Sequence, residues 1–329
     1  PFPLGERHCH PSPRARGLGT RARARYERGL DAVAPPPTPP IMCLGLGGCP
    51  LSNPLTALMK RKRMRLALKD MGFAQTPFAL SVNGATQLVR FLRGDLDIPQ
   101  WVRNSCYADP VHVPNAEQRA VLNRTDICLV EMSTPIEFDY LGYILNQNRL
   151  REQIEPLYAL SVEAKKALTR WIGEGVQKQN EDARRKYSEM VIAMIRGDSA
   201  EERQMVSLLR RLRGRHLGEA DIHAGLKMLI GLVDAPIGVV LHNYSYMPDG
   251  RPVIFPAGFK DDTRNAAQAL GLPCYDPLPL VLRHWGGDVL MEDARHYARA
   301  FEPVVAEDYL AFARLASPRL LFEPRAQAD

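Results

Sequence analysis

The stretch Ile41-Met-Cys-Leu-Gly-Leu-Gly-Gly-Cys-Pro-Leu-Ser-Asn-Pro-Leu55 restricts what this chain can fold into more than any other. It opens as an uncharged apolar run. Three glycines, Gly45, Gly47 and Gly48, fall within four positions, and Cys49 follows. Asn53 is a good helix N-cap, and Pro54 sits where a first helical residue belongs, so a helix over Pro54 to about Arg63 is expected. A strand, a tight glycine turn and a helix N-terminus form the entry to an α/β unit, where reactive groups are presented or phosphates bound. Cys49 is therefore a candidate nucleophile, with Ser52 in reserve.

The rest of the chain from Met42 on alternates strand and helix patterns. Asp126–Met132 is nearly continuous in apolar residues, as a strand of a parallel sheet requires. Weaker strands are expected at Arg65–Leu68, Pro236–Asn243 and Leu272–Asp276. Helices are expected at Thr86–Arg93, at Asp261–Leu270 before Gly271, and at Glu307–Ala316. Residues 144–233 read as a long helical tract, with a capping-box-like start at Ser161. Such alternation predicts a doubly wound parallel sheet, whose ligands gather at the carboxyl ends of the strands. Those ends are Gly47–Ser52, the loop through Asn83 and Gly84, Ser133–Glu137, His242–Ser245 and Asp293–His296.

Composition narrows the function classes. With 45% hydrophobic and 24% charged residues, the chain is that of a globular protein. No apolar run approaches the ~20 residues of a membrane span. Of the formal charge of +6, seven Arg against Glu6, Glu27 and Asp31 place +4 within residues 1–41, so the basic balance does not predict nucleic-acid binding. The six cysteines form no CxxC pair and show no metal-ligand spacing, so neither a metal nor another cofactor is expected. Scattered cysteines fit a reducing cytoplasm. Residues 1–40 are Arg- and Pro-rich without apolar periodicity. They read as a disordered leader or as a segment upstream of a true start at Met42.

Acyl transfer needs a nucleophile, a base, a group that orients the base, and donors for the oxyanion. Cys49 stands before a helix N-terminus, whose dipole favours a thiolate. Asp293 and His296 are three positions apart, which brings both to one side of a tight turn, with His296 as the base. Gly48, Gly84, Ser133 and Asn243 are candidate oxyanion or substrate-binding groups. Each also has a plain structural reading. Cys49 can be a small buried residue, Asp293 and His296 a surface turn, and His242 and Asn243 the cap of a strand.

In their order, these blocks resemble the SGNH/GDSL hydrolase superfamily. Gly47-Gly48-Cys49-Pro50 occupies the slot of its Gly-Asp-Ser-Leu block, Gly84 that of its second-block glycine, and Asp293 with His296 that of its final D-x-x-H. Cysteine at the nucleophile slot is closest to the GSCFA-type variants. The third block here is Glu131-Met-Ser-Thr134 and has no Asn, so Ser133 or Asn243 would have to serve. The resemblance implies a flavodoxin-like three-layer α/β/α domain over about 41–320, with the helical tract as an insertion. It also implies an esterase or acyltransferase acting on a small acylated molecule or saccharide. A non-catalytic module of the same fold, binding a glycan or a protein, is the alternative. Dinucleotide binding by an oxidoreductase is a third reading, although the third glycine of G-x-G-x-x-G is replaced by Pro50.

Overall fold

Strand β1 (Ile41–Leu46) is an interior strand of a five-stranded sheet in the computed structural model, and its side chains alternate between two cores. Met42, Leu44 and Leu46 enter one, Ile41 and Cys43 the other. This is the period of two expected of a strand covered on both faces. The structure describes residues 40–74, 76–107, 112–243, 258–284, 289–291 and 296–317. The proposed leader, Cys9 and Asp293 lie outside them. From Pro40 on the chain forms one unit.

The sheet has the order β2 (Met64–Leu66), β1, β3 (Ile127–Glu131), β7 (Ile237–Val240), β8 (Cys274–Tyr275), and every pairing is parallel. Helices α1 (Cys49–Lys60) and α5 (Glu302–Ala316) cover one face through Leu51, Leu55, Leu58, Val305 and Leu310. The other face carries α2 (Val82–Arg93), α3 (Glu219–Leu232) and α4 (Phe259–Ala269). The fold is thus a three-layer α/β/α sandwich built on a parallel sheet. Among the described residues, no helix is long and apolar enough to cross a membrane.

Three sequence expectations need correction. Helix α1 begins at Cys49, five residues before Pro54, with Gly48 as N-cap. The carbonyl of Gly48 accepts from Leu51 and Ser52 N–H at 3.2 and 3.0 Å. Pro54 is therefore an interior proline, which cannot donate to the carbonyl of Pro50 one turn earlier. The Tyr309 hydroxyl from α5 donates to that carbonyl instead, at 3.3 Å, and this tertiary contact is what makes the longer helix tolerable.

Second, Gly84 does not close a loop. It lies in the first turn of α2, where its N–H donates to the N-cap Ser81 Oγ at 3.2 Å, so it is committed to capping rather than to an oxyanion. Third, the tract 144–233 is not purely helical. Antiparallel strands β4 (Ile136–Tyr140), β5 (Tyr143–Leu145) and β6 (Arg213–His216) form a second sheet in the order β5-β4-β6. The β4–β6 pairing joins the two ends of a helical excursion over 147–211. Helix α3, expected within the tract, instead belongs to the layer that covers the main sheet.

Candidate functional site

Glu131 is the one charged residue in β3, and its side chain is buried at the carboxyl end of the strand. A buried carboxylate must find donors. One is the Gly48 N–H, which donates to Oε2 at 2.8 Å. The other is His242 Nδ1, which donates to Oε1 at 2.5 Å. His242 follows β7, whose Val240 is the register partner of Glu131, and it is only 7% exposed. The parallel register therefore brings together three strand ends, those of β1, β3 and β7.

The glycines of the first stretch now have separate reasons. An added Cβ at Gly47 would stand 2.9 Å from both Cβ and Oε2 of Glu131, and one at Gly45 would stand 2.7 Å from Leu55 Cδ1. Gly48 presents its N–H to Glu131. The anion held at this glycine turn is thus the chain's own carboxylate, which fills a donor that a dinucleotide phosphate would need.

Cys49 is the first residue of α1, and its thiol is free and partly exposed. Its N–H is one of the orphan donors of a helix start, and no acceptor meets it among the described residues. In a trans peptide, N–H and C=O point in opposite directions. The Gly48 carbonyl faces into α1, so the Cys49 N–H faces out of its N-terminal end.

His296 is half-buried, and two contacts tie its segment to residues 290–291. Met291 N–H donates to its carbonyl at 2.9 Å, and Leu290 pairs with Tyr297 in an antiparallel bridge. The buried Tyr297 hydroxyl lies 3.5 Å from that of Tyr309, which holds the carbonyl of Pro50 beside Cys49. On the outer side, Asn53 donates to Glu302 at 3.0 Å. Burial raises the Glu302 carboxyl above its ordinary value, while the Asn53 hydrogen bond and the charges of Arg299, Lys60 and His296 act in the opposite direction. Asn53 is one helical turn from Cys49 and on the same face. Of the D-x-x-H pair, Asp293 is outside the described residues.

Ser52 is buried in the first turn of α1 and lines a slot of about 290 Å³ with Gly45, Gly47, Leu55 and Leu66. Asn243 is fully buried, and among the described residues neither side-chain polar atom has a partner. Ser133 N–H donates to the Leu80 carbonyl at 2.9 Å, which joins the end of β3 to the start of α2.

That junction holds a second polar cluster. Glu137, with a side chain shielded from solvent, accepts from Ser81 Oγ at 2.6 Å, Asn83 Nδ2 at 3.0 Å and Arg215 at 2.9 Å. Ser81, Gly84, Thr134 and Glu137 line a pocket of about 350 Å³, partly open to solvent. Gly84 and Ser133 thus belong to the α2 side of the site, whereas Gly48 and Cys49 open α1.

Sequence reasoning overlooked the Glu131–His242 pair. The signal was present: a lone acid ending an otherwise apolar strand, and a histidine ending the next parallel strand.

Fold and site together define a parallel α/β/α protein with a cysteine presented by its first strand-turn-helix. A family model described as the TviD N-terminal domain matches residues 41–312, and the chain belongs to that family. No curated protein and no solved structure matches it.

Proposed function

We propose that the chain is an acyltransferase or esterase of the SGNH type, working through Cys49 on an acylated small molecule or saccharide. The carrying observation is Cys49 itself: a partly exposed thiol at the first position of α1, with an N–H that no acceptor meets among the described residues, while Tyr297, next to His296, is linked through Tyr309 to the Pro50 carbonyl. Kinship with the TviD N-terminal domain, a family tied to Vi antigen biosynthesis, favours a saccharide as acceptor.

In this reading His296 takes the thiol proton and the thiolate attacks the acyl carbonyl. The Cys49 N–H and the Asn243 amide are the donors at hand for the oxyanion. Collapse of the tetrahedral intermediate expels the donor alcohol, which takes the proton from His296, and leaves a thioester on Cys49. The acceptor hydroxyl, or water, then gives its proton to His296 and displaces the thiolate.

Turnover of a short acyl ester, with the mass of the intact protein as a second readout, tests the proposal. Cys49→Ala and His296→Ala should each lower turnover by about 10³-fold or more, and the wild type should carry one acyl group on Cys49. Full activity in Cys49→Ala overturns the proposal. If Ser52→Ala is the inactive variant instead, the nucleophile is Ser52. Saccharide binding by a wild type that turns over no ester would identify a binding module of the same fold.

A further inference from the structure

Glu131 and His242 have no part in the steps above, yet they form a deeply buried ionisable pair that holds the N–H of Gly48, the residue before the nucleophile. Building on the acyl-transfer reading, we propose that they are positioning residues of this site, which lock the Gly48–Cys49 peptide so that the Cys49 N–H is aimed at the acyl oxygen.

The geometry has three parts. Gly48 is gripped from both sides: its N–H by Glu131 Oε2 at 2.8 Å and its carbonyl by Leu51 and Ser52 N–H. Glu131 thus fixes the peptide before Gly48 and the helix start fixes the one after it, whose N–H, that of Cys49, is directed out of the helix end. Glu131 cannot drift, because its other oxygen holds His242 Nδ1 at 2.5 Å and Gly47 lies against its side chain.

A glycine N-cap has no side chain of its own to fix the helix start. A carboxylate from the neighbouring strand supplies that constraint, and the histidine fixes the carboxylate. A preorganised oxyanion donor needs such support, since a donor that must be oriented during the reaction loses most of its effect.

The test compares a short p-nitrophenyl ester with the corresponding thionoester, in the full chain. Sulfur accepts hydrogen bonds poorly, so an aimed oxyanion donor makes the enzyme prefer the oxygen ester. Glu131→Gln can accept one of the two donors but sets its amide N–H₂ against the other. Its kcat on the oxygen ester should fall by about 10²–10³-fold with KM within about twofold, and the preference over the thionoester should shrink accordingly. His242→Leu should behave alike. His242→Asn retains an N–H near the Nδ1 position and should recover most of the activity.

Wild-type kcat in Glu131→Gln overturns the proposal. So does a fall in kcat that leaves the oxygen-to-thiono ratio unchanged, which would mark a merely structural loss, or failure of His242→Asn to recover activity when it melts with the wild type. Cys49→Ala separates the two levels. If it is inactive while Glu131→Gln is normal, acyl transfer stands and this positioning role falls; if it is fully active, both fall.

Discussion

Gly47 shows how one residue can be required for two reasons. A Cβ there would meet Glu131 at 2.9 Å, on its Cβ as well as on its carboxylate, and would lie 3.1 Å from its backbone oxygen. Glu131 is held by two hydrogen bonds and cannot yield. At Gly45 the obstacle is only a methyl of Leu55. Gly47→Ala is therefore expected to cost about 1–3 kcal/mol of stability by overpacking, and to lower ester turnover at least about tenfold by displacing the carboxylate that holds Gly48. Gly45→Ala should disturb turnover less. Denaturant melts and turnover on both variants check this. Read as sequence, the two glycines look alike, as members of one glycine-rich turn. Nothing in their order says that Glu131, over 80 positions away, lies against one of them.

The start of α1 is decided by a contact between elements. Local signals at Asn53 and Pro54 describe a good helix start, and in isolation they would compete for it. The observed helix begins at Cys49 because Gly48 is capped into place and because α5 supplies the donor that Pro54 lacks. Tyr309→Phe should thus leave the Pro50 carbonyl unsatisfied and cost about 1–2 kcal/mol. In a Pro54→Ala background the helix regains its own N–H, and the same substitution should cost measurably less. A double-mutant cycle by chemical denaturation reads that coupling; equal costs in both backgrounds would dismiss the link. The strands were easier to read. β1 and β3 are apolar along their length because both faces are covered, and that is visible without any tertiary knowledge. β4 and β6 were hidden, since their pairing depends on the two ends of a long excursion meeting.

Across the whole molecule, the packed interior covers several thiols, on helices as well as on strands. Burial pushes the Cys43 and Cys106 thiols up to about 12 from the usual 9.0, and Cys274 up to about 11. In the unfolded chain these thiols ionise near the usual value, while the folded chain keeps them protonated. Stability that is present below about pH 9 is therefore lost as the pH rises towards the folded values. Each thiol contributes a slope of about 1.4 kcal/mol per pH unit in that interval. Melting from pH 7 to 10.5 should show a decline that starts near pH 9, and a Cys43→Ala, Cys106→Ala variant should show a shallower one. An equal slope in both proteins would mean that other groups dominate.

The sequence by itself determined the layered α/β class, the buried strands and the place of a cysteine after the first glycine turn. Each of these follows from local pattern: apolar runs, alternation with helices and turn chemistry. Only the tertiary structure decided where α1 begins, that the glycine turn holds the chain's own Glu131, and that His242 completes that pair. These depend on parallel register, which aligns Glu131 with Val240 and sets three strand ends side by side. Register is a relation between distant segments, and no window of the sequence contains it.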